Sequence, residues 1–243
     1  MILLPAVDIR GGKAVRLRQG DFDQETVYAD DPLEAARAFV AAGARFLHVV
    51  DLDGALEGEP VNLHHLERIR HDLEVPVQFG GGLRSIAAIR RALAAGADRV
   101  VVGTAAYTDP DFLDEALTGF TGRILVAVDV RGGFVSVAGW TRKTQMRGED
   151  VIRRMQQRGA TRFAYTNVDR DGMLDGPDPD ELRRVSDAVR GRFLYSGGIG
   201  SLDHLVMLRS LRLLNLAGVI AGRALYDGRF GVREGQAVLE DRG

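Results

Sequence analysis

The chain contains no cysteine. That absence excludes disulfides, thiolate nucleophiles and cysteine-ligated metals. Lysine is nearly absent too: of 32 basic residues only Lys13 and Lys143 are lysines, and the rest are arginines. A Schiff-base enzyme needs a buried lysine on a rigid element, and both lysines lie among Gly, Arg and Thr in expected loops. No apolar run approaches the roughly 18 residues of a membrane span, so no membrane partner is expected. The opening Met1-Ile2-Leu3-Leu4-Pro5-Ala6-Val7-Asp8 is too short and too soon interrupted for a signal peptide. Neither charge sign is in excess, with 32 basic residues against 34 acidic. That balance argues against nucleic acid as a partner. The expectation is a soluble, cytoplasmic monomer.

What is present suits an α/β barrel. The length of 243 residues, 45% of them hydrophobic, matches one (β/α)8 TIM barrel. Short apolar runs at 2–7, 45–50, 76–79, 98–102, 123–128, 162–166, 192–195 and 217–220 read as parallel strands buried on both faces. Amphipathic stretches at 32–42, 62–72, 85–95, 110–118, 148–159, 179–190, 201–209 and 231–240 read as helices. Asp31-Pro32, Asp109-Pro110 and Asp178-Pro179 each offer a capping carboxylate before a first-turn proline. Gly43, Gly96 and Gly159 stand where helices end. Eight such alternations favour a closed barrel over an open sheet. The segment 9–30 reads as a long first loop on the catalytic face, a candidate lid.

The sequence also repeats itself. Leu4–Gly12 resembles Leu125–Gly133 at an offset of 121, and His48–Gly54 resembles Thr166–Gly172 at 118. Phe79–Ser85 resembles Tyr195–Ser201 at 116, and Val102–Ala105 resembles Ala221–Ala224 at 119. Four matches in one order imply two (β/α)4 halves, about 1–121 and 122–243, in a single domain. Each matched motif falls at the C-terminal end of its strand, the catalytic face of such barrels.

Glycines lead the chemistry. Gly80-Gly81-Gly82 with Gly103-Thr104, and Gly197-Gly198 with Gly222-Arg223, form two matched pairs of strand-end loops. Glycine lets backbone N–H groups approach a phosphate closely. Two such pairs imply a small molecule carrying two phosphates. Asp8 and Asp129 end equivalent apolar strands, where a carboxylate is costly unless it is paired or functional. A purely structural role would pair them with Arg10 and Arg131, two residues on, as salt bridges. The functional reading is an acid–base pair for aldose–ketose isomerisation. Asp51, Asp53, Asp169 and Asp171 form a second set without neighbouring histidines other than His48, which favours polar support over metal. No metal is expected. Trp140, in the loop after strand five, can cover the site or pack beneath it.

These motifs resemble the isomerase family of histidine biosynthesis. The resemblance rests on Pro5–Asp21, His48–Ala55, Gly80-Gly81-Gly82-x-Arg84-Ser85, Asp129-x-Arg131-Gly132, Gly139-Trp140, Arg170-Asp171-Gly172, Ser196–Ile199 and Gly222–Leu225. It spans residue 2 to about 238. It implies an Amadori rearrangement, without cofactor, of N′-(5′-phosphoribosyl)formimino-5-aminoimidazole-4-carboxamide ribonucleotide to its phosphoribulosyl isomer. By position, Asp8 matches the general base and Asp129 the general acid, with Thr166 near the acid. Arg16, Arg84, Trp140 and Asp171 match substrate contacts. Gly81, Gly103, Thr104, Gly172, Gly198, Gly222 and Arg223 match the phosphate loops.

Asn167 and Met173 depart from the family pattern, where an acid and a threonine are more usual. A bifunctional relative also isomerises phosphoribosylanthranilate and carries an arginine two residues before the tryptophan. Ala138 stands there in this chain, which favours one substrate. Two further functions compete with the isomerase: that of a sister cyclase, which uses ammonia, and that of a phosphosugar-binding barrel without catalysis.

Overall fold

The computed structural model describes every residue except Ala138, Gly139, Thr141, Arg242 and Gly243, and the side chain of Lys143. Among the described residues the strands, in chain order, are β1 (Ile2–Arg10), β2 (Lys13–Arg18), β3 (Asp21–Ala29), β4 (Leu47–Asp51), β5 (Val77–Gly80), β6 (Arg99–Val102), β7 (Ile124–Arg131), β8 (Phe134–Val137), β9 (Arg142–Arg147), β10 (Arg162–Asn167), β11 (Arg192–Ser196) and β12 (Leu216–Ala221). Eight of them, β1, β4–β7 and β10–β12, pair in parallel, and the β12–β1 and β10–β7 pairings close the ring. The fold is a (β/α)8 TIM barrel.

Strand alternation sorts the side chains. Leu4, Ala6, Val101, Leu125, Ala127, Ala164, Leu194 and Ile220 fill the barrel interior. Their neighbours, such as Leu3, Val7, Val49, Phe79, Val100 and Val126, face the helices. Most of these strands are thus dry on both faces, which is why they read as unbroken apolar runs. The helix signals act locally. Asp31, Asp109 and Asp178 accept from backbone N–H groups of the helices they precede. Gly43, Gly96 and Gly159 follow helices with φ of 101°, 104° and 98°, a conformation L side chains rarely adopt.

Two segments differ from the sequence expectation. Residues 9–30 are not a loop but continue β1 into the antiparallel strands β2 and β3. The segment after Asp129 does the same, from β7 into β8 and β9. The cause is the Gly-Gly pair in each. Gly11-Gly12 and Gly132-Gly133 all have positive φ and sit between paired residues, Arg10–Lys13 and Arg131–Phe134. That is a two-residue turn whose twist suits a hairpin. Short helices at Leu52–Glu57, Thr104–Thr108 and Arg223–Tyr226, too brief to show a period, also lie at the catalytic face. None of the described helices is long and apolar enough to cross a membrane.

Candidate active site

A cavity opens at the C-terminal ends of the barrel strands. Ala6, Val101, Ala127, Ala164 and Ile220, from the barrel interior, give it an apolar floor. Asp8 and Asp129 both line it, together with Arg16, Gly81, Arg84, Gly103, Thr104, Trp140, Thr166 and Asp171. Gly172, Gly198, Gly222 and Arg223 line a smaller adjoining hollow, which shares Arg16 and Asp171 with the first.

Asp8 is buried, with its charge partner on the neighbouring hairpin. Arg16, on β2, donates through Nη1 to Asp8 Oδ2 at 2.7 Å and reaches Asp171 at 3.4 Å through Nη2. Burial lifts the Asp8 carboxyl to about 6, opposed by the Arg16 charge and assisted by Asp171. Asp171 is raised by burial and opposed by the same guanidinium. Arg10, the partner expected on sequence grounds for a structural role, pairs instead with Glu25 at 2.8 Å. Arg131 likewise turns away, donating to the Gln19 carbonyl at 2.7 Å. The salt bridges from Arg10 to Asp8 and from Arg131 to Asp129 therefore do not form, and Asp8 pairs with Arg16 instead.

Among the described residues Asp129 faces neutral donors, the Trp140 and Thr166 side chains. Burial lifts it too to about 6, opposed by hydrogen bonds from the Trp140 and Thr166 side chains. Thr166 is in register with it on β10. Trp140 adopts a φ of 68°, rare for a residue with a side chain. Its indole lies against Gly20, where any side chain would overlap the ring. Gly20 belongs to the tip of the β2–β3 hairpin. The preceding Gln19 donates its backbone N–H to the Asp171 carbonyl at 3.1 Å and its side chain to the Asp169 carbonyl at 2.5 Å. The hairpin thus reaches across the cavity mouth to the opposite side of the barrel.

The acidic set resolves differently from its sequence alignment. Ile9 is in register with Asp51, and Val130, its counterpart, with Asn167. The offset there is therefore 116, not 118. Asp51 and Asn167 each accept from the backbone N–H three residues on. Asp53 accepts from Gly11 N at 2.8 Å, and Asp169 from Gly132 N at 2.6 Å. An acid-x-acid pattern matches itself when slipped by two residues, which produced the wrong pairing. By the corrected offset Ala55 stands opposite Asp171, so that carboxylate occurs on one side only. Asn167 also has a physical reason. Its amide donates to Glu181 at 2.7 Å, while Asp51 accepts from the Asn62 amide at 2.8 Å. Both sides keep a buried carboxylate–amide pair, with the roles exchanged. Among the described residues no cluster of three metal-ligating side chains occurs.

The glycine loops match in conformation. Gly81 and Gly82 have φ of 109° and 71°, and Gly197 and Gly198 have 106° and 77°. A side chain on Gly81 would run into the Asp51 backbone, and one on Gly197 into that of Asn167. Gly81→Ala is expected to cost about 2–4 kcal/mol in urea unfolding. Gly133→Ala has a similar φ of 81° with open space around it, and should cost about 1 kcal/mol. Equal losses would contradict the crowding argument. Arg84 donates to the Ala55 carbonyl at 2.9 Å, and Arg223 to the Gly172 carbonyl at 2.6 Å.

The sequence did not single out two kinds of residue found here. His48 lines the cavity beside its apolar floor. Tyr107 and Tyr226 follow the loop glycines Gly103 and Gly222 by four residues each, and each has a buried hydroxyl without a hydrogen-bond partner among the described residues. Burial raises both phenols, with Asp129 adding to the shift of Tyr107 and Asp8 to that of Tyr226. Their shared offset of 119 from one loop to the other was the available signal.

A family model described as histidine biosynthesis protein matches residues 2–231. Similar curated proteins carry one name, 1-(5-phosphoribosyl)-5-((5-phosphoribosylamino)methylideneamino)imidazole-4-carboxamide isomerase. The one from Rhodospirillum rubrum is 44% identical over 99% of this chain and 100% of its own. That from Synechococcus sp. is 46% identical over 96% and 88%, and that from Xanthobacter autotrophicus 43% over 100% and 99%. The chain belongs to the histidine biosynthesis protein family and groups there with the imidazole-4-carboxamide isomerases.

Proposed function

We propose that the protein isomerises N′-(5′-phosphoribosyl)formimino-5-aminoimidazole-4-carboxamide ribonucleotide to its phosphoribulosyl form. The observation that carries this is the unequal setting of two like aspartates in one cavity. Asp8 rests on a guanidinium, which favours the carboxylate a base needs. Among the described residues Asp129 has neutral donors only, Trp140 and Thr166, so holding a proton breaks no ion pair with them. Asp129 protonates the furanose oxygen as the ring opens and leaves a Schiff base at C1. Asp8 takes the proton from C2, and the electron pair forms the C1–C2 double bond of an enolamine. C1 then gains a proton, and the C2 hydroxyl becomes a ketone by giving up its proton, which restores the one Asp129 gave to the ring oxygen. One hydrogen leaves C2 and one joins C1, so the reaction is balanced internally and needs no cofactor.

The two glycine loop pairs are read as the phosphate sites, one at Gly81, Gly103 and Thr104, the other at Gly172, Gly198, Gly222 and Arg223. Arg16, Arg84, Trp140, Thr166 and Asp171 are read as contacts to the rest of the substrate. The relatives' name, with its two phosphoribosyl groups, supports that division. The recurrence of turns and loop conformations supports one domain of two like halves. Ala138, which bears on a second substrate, lies outside the described residues. The test is an absorbance assay with the formimino ribonucleotide and, separately, phosphoribosylanthranilate. Turnover of the first alone is expected. Binding without turnover would contradict the reading, and turnover of both would contradict the single substrate.

A further inference from the structure

Three neighbouring barrel strands place His48, Gln78 and Arg99 side by side. His48 is in register with Gln78 between β4 and β5, and Gln78 with Arg99 between β5 and β6. Their side chains form a chain of hydrogen bonds. Arg99 Nη2 donates to Gln78 Oε1 at 2.9 Å, and Gln78 Nε2 lies 2.6 Å from His48 Nδ1. A guanidinium has donors and no acceptor. It therefore fixes the end of the Gln78 amide that faces it as the oxygen. The other end is the NH2 group, which can only donate. His48 Nδ1 must then accept, and the ring's single proton sits on Nε2.

The lock is well held. Gln78 is fully buried, so no solvent competes for its amide. Arg99 lies 4.1 Å over the Phe46 ring, a cation–π contact. Burial, with the Arg16 and Arg99 charges, lowers His48 to about 3, which keeps the ring neutral. The ring lines the cavity. Its partner in register on β1 is Ala6, two residues before Asp8. No protein group among the described residues bonds to Nε2.

We infer that His48 is a tautomer-locked, neutral donor whose Nε2–H binds an acceptor oxygen on the sugar portion of the ligand. Gln78 and Arg99 are positioning residues that act through it. The identity of the ligand rests on the isomerase reading above; the lock does not. A neutral donor suits this place. It can bind a sugar hydroxyl before the reaction and a carbonyl after it. An imidazolium there would compete with Arg16 for the Asp8 carboxylate and weaken the base.

The test uses the full-length enzyme with 15N-labelled histidine and long-range 15N–1H correlation, with the His48 signals identified by their loss in His48→Gln. The expected spectrum at neutral pH has Nε2 protonated and Nδ1 bare. Saturation with the phosphoribulosyl product shifts the Nε2–H resonance. Gln78→Met lets both tautomers appear. A proton on Nδ1, an imidazolium, or a spectrum unchanged by Gln78→Met overturns the lock. An unmoved Nε2–H in an enzyme that turns over the substrate overturns the sugar contact and leaves the isomerase reading standing. Absence of any turnover overturns that reading and the sugar contact together, and the lock is then judged by the Nε2 proton alone. In kinetics, His48→Ala should raise KM about tenfold. His48→Gln, which keeps an N–H at similar reach, should recover most of that loss, and equal losses would overturn the donor role. Thermal melts check that each variant is folded.

Discussion

Asp129→Asn is expected to abolish turnover and to stabilise the protein. Removing a general acid costs on the order of 10^3-fold in kcat. The gain in stability follows from burial. Asp129 is lifted from its ordinary 3.8 to about 6 because its charged form is desolvated. Ionising it in the folded chain therefore costs at most about 3 kcal/mol at neutral pH. The sign is fixed by the direction of the shift. The folded state holds this proton at pH values where the unfolded chain has released it. That contribution is complete below about 4 and is lost as pH rises through about 6. Asparagine resembles the protonated carboxyl, so its advantage is full above about 6 and vanishes below about 4. Urea unfolding at several pH values measures this. A pH-independent gain, or a loss, would contradict the assigned environment. Asp8→Asn should be equally inactive without the gain, because it strips a charge partner from Arg16.

Arg16→Met is expected to damage stability and chemistry together. The guanidinium is about one-tenth exposed and bridges Asp8 and Asp171. Removing one member of a buried charge network costs about 3–5 kcal/mol. The two carboxylates left behind already raise each other on Asp8's side, and their main opposing cause is gone. Asp8 should then hold its proton to higher pH. In the wild type, kcat/KM is expected to fall as pH drops through about 6, where Asp8 protonates, and again as pH rises beyond about 6, where Asp129 ionises. In Arg16→Met the acid limb should move to higher pH, with kcat/KM at neutral pH lower by at least about 100-fold. Arg16→Lys, which restores the charge but not the fork, should return the limb part of the way. An acid limb that stays in place would mean that Arg16 does not set the charge on Asp8.

Much of this arrangement is local chemistry and so was legible in the sequence. An Asp before a Pro caps a helix whatever surrounds it, as Asp31, Asp109 and Asp178 do. The two aspartates and the glycine loops stood out because each occurs twice. The hairpins were not read from the sequence: Gly-Gly alone does not show which residues pair across it, and β3 is polar and largely exposed, so it lacks the apolar alternation that marks a strand. Other features depend on distant partners. Asp8 finds Arg16 rather than the nearer Arg10 because β2 folds back along β1 and places Val15, the neighbour of Arg16, opposite Asp8. The slip between Asp51 and Asn167 needed the strand register to resolve it. His48 looked like an interior residue because its partners, Gln78 and Arg99, come from two other strands.

The hydrogen on C2 of the sugar gives the most direct test of the two-aspartate account. Formimino ribonucleotide labelled with deuterium at C2 can be followed by NMR with the wild-type enzyme, Asp8→Asn and Asp129→Asn. The wild type should remove the label from C2 in every turnover, because the ketone carbon of the product carries no hydrogen. Both variants, folded and still able to bind the product, should leave it in place about 10^3-fold longer. Release of the label at the wild-type rate by Asp8→Asn would show that another group is the base.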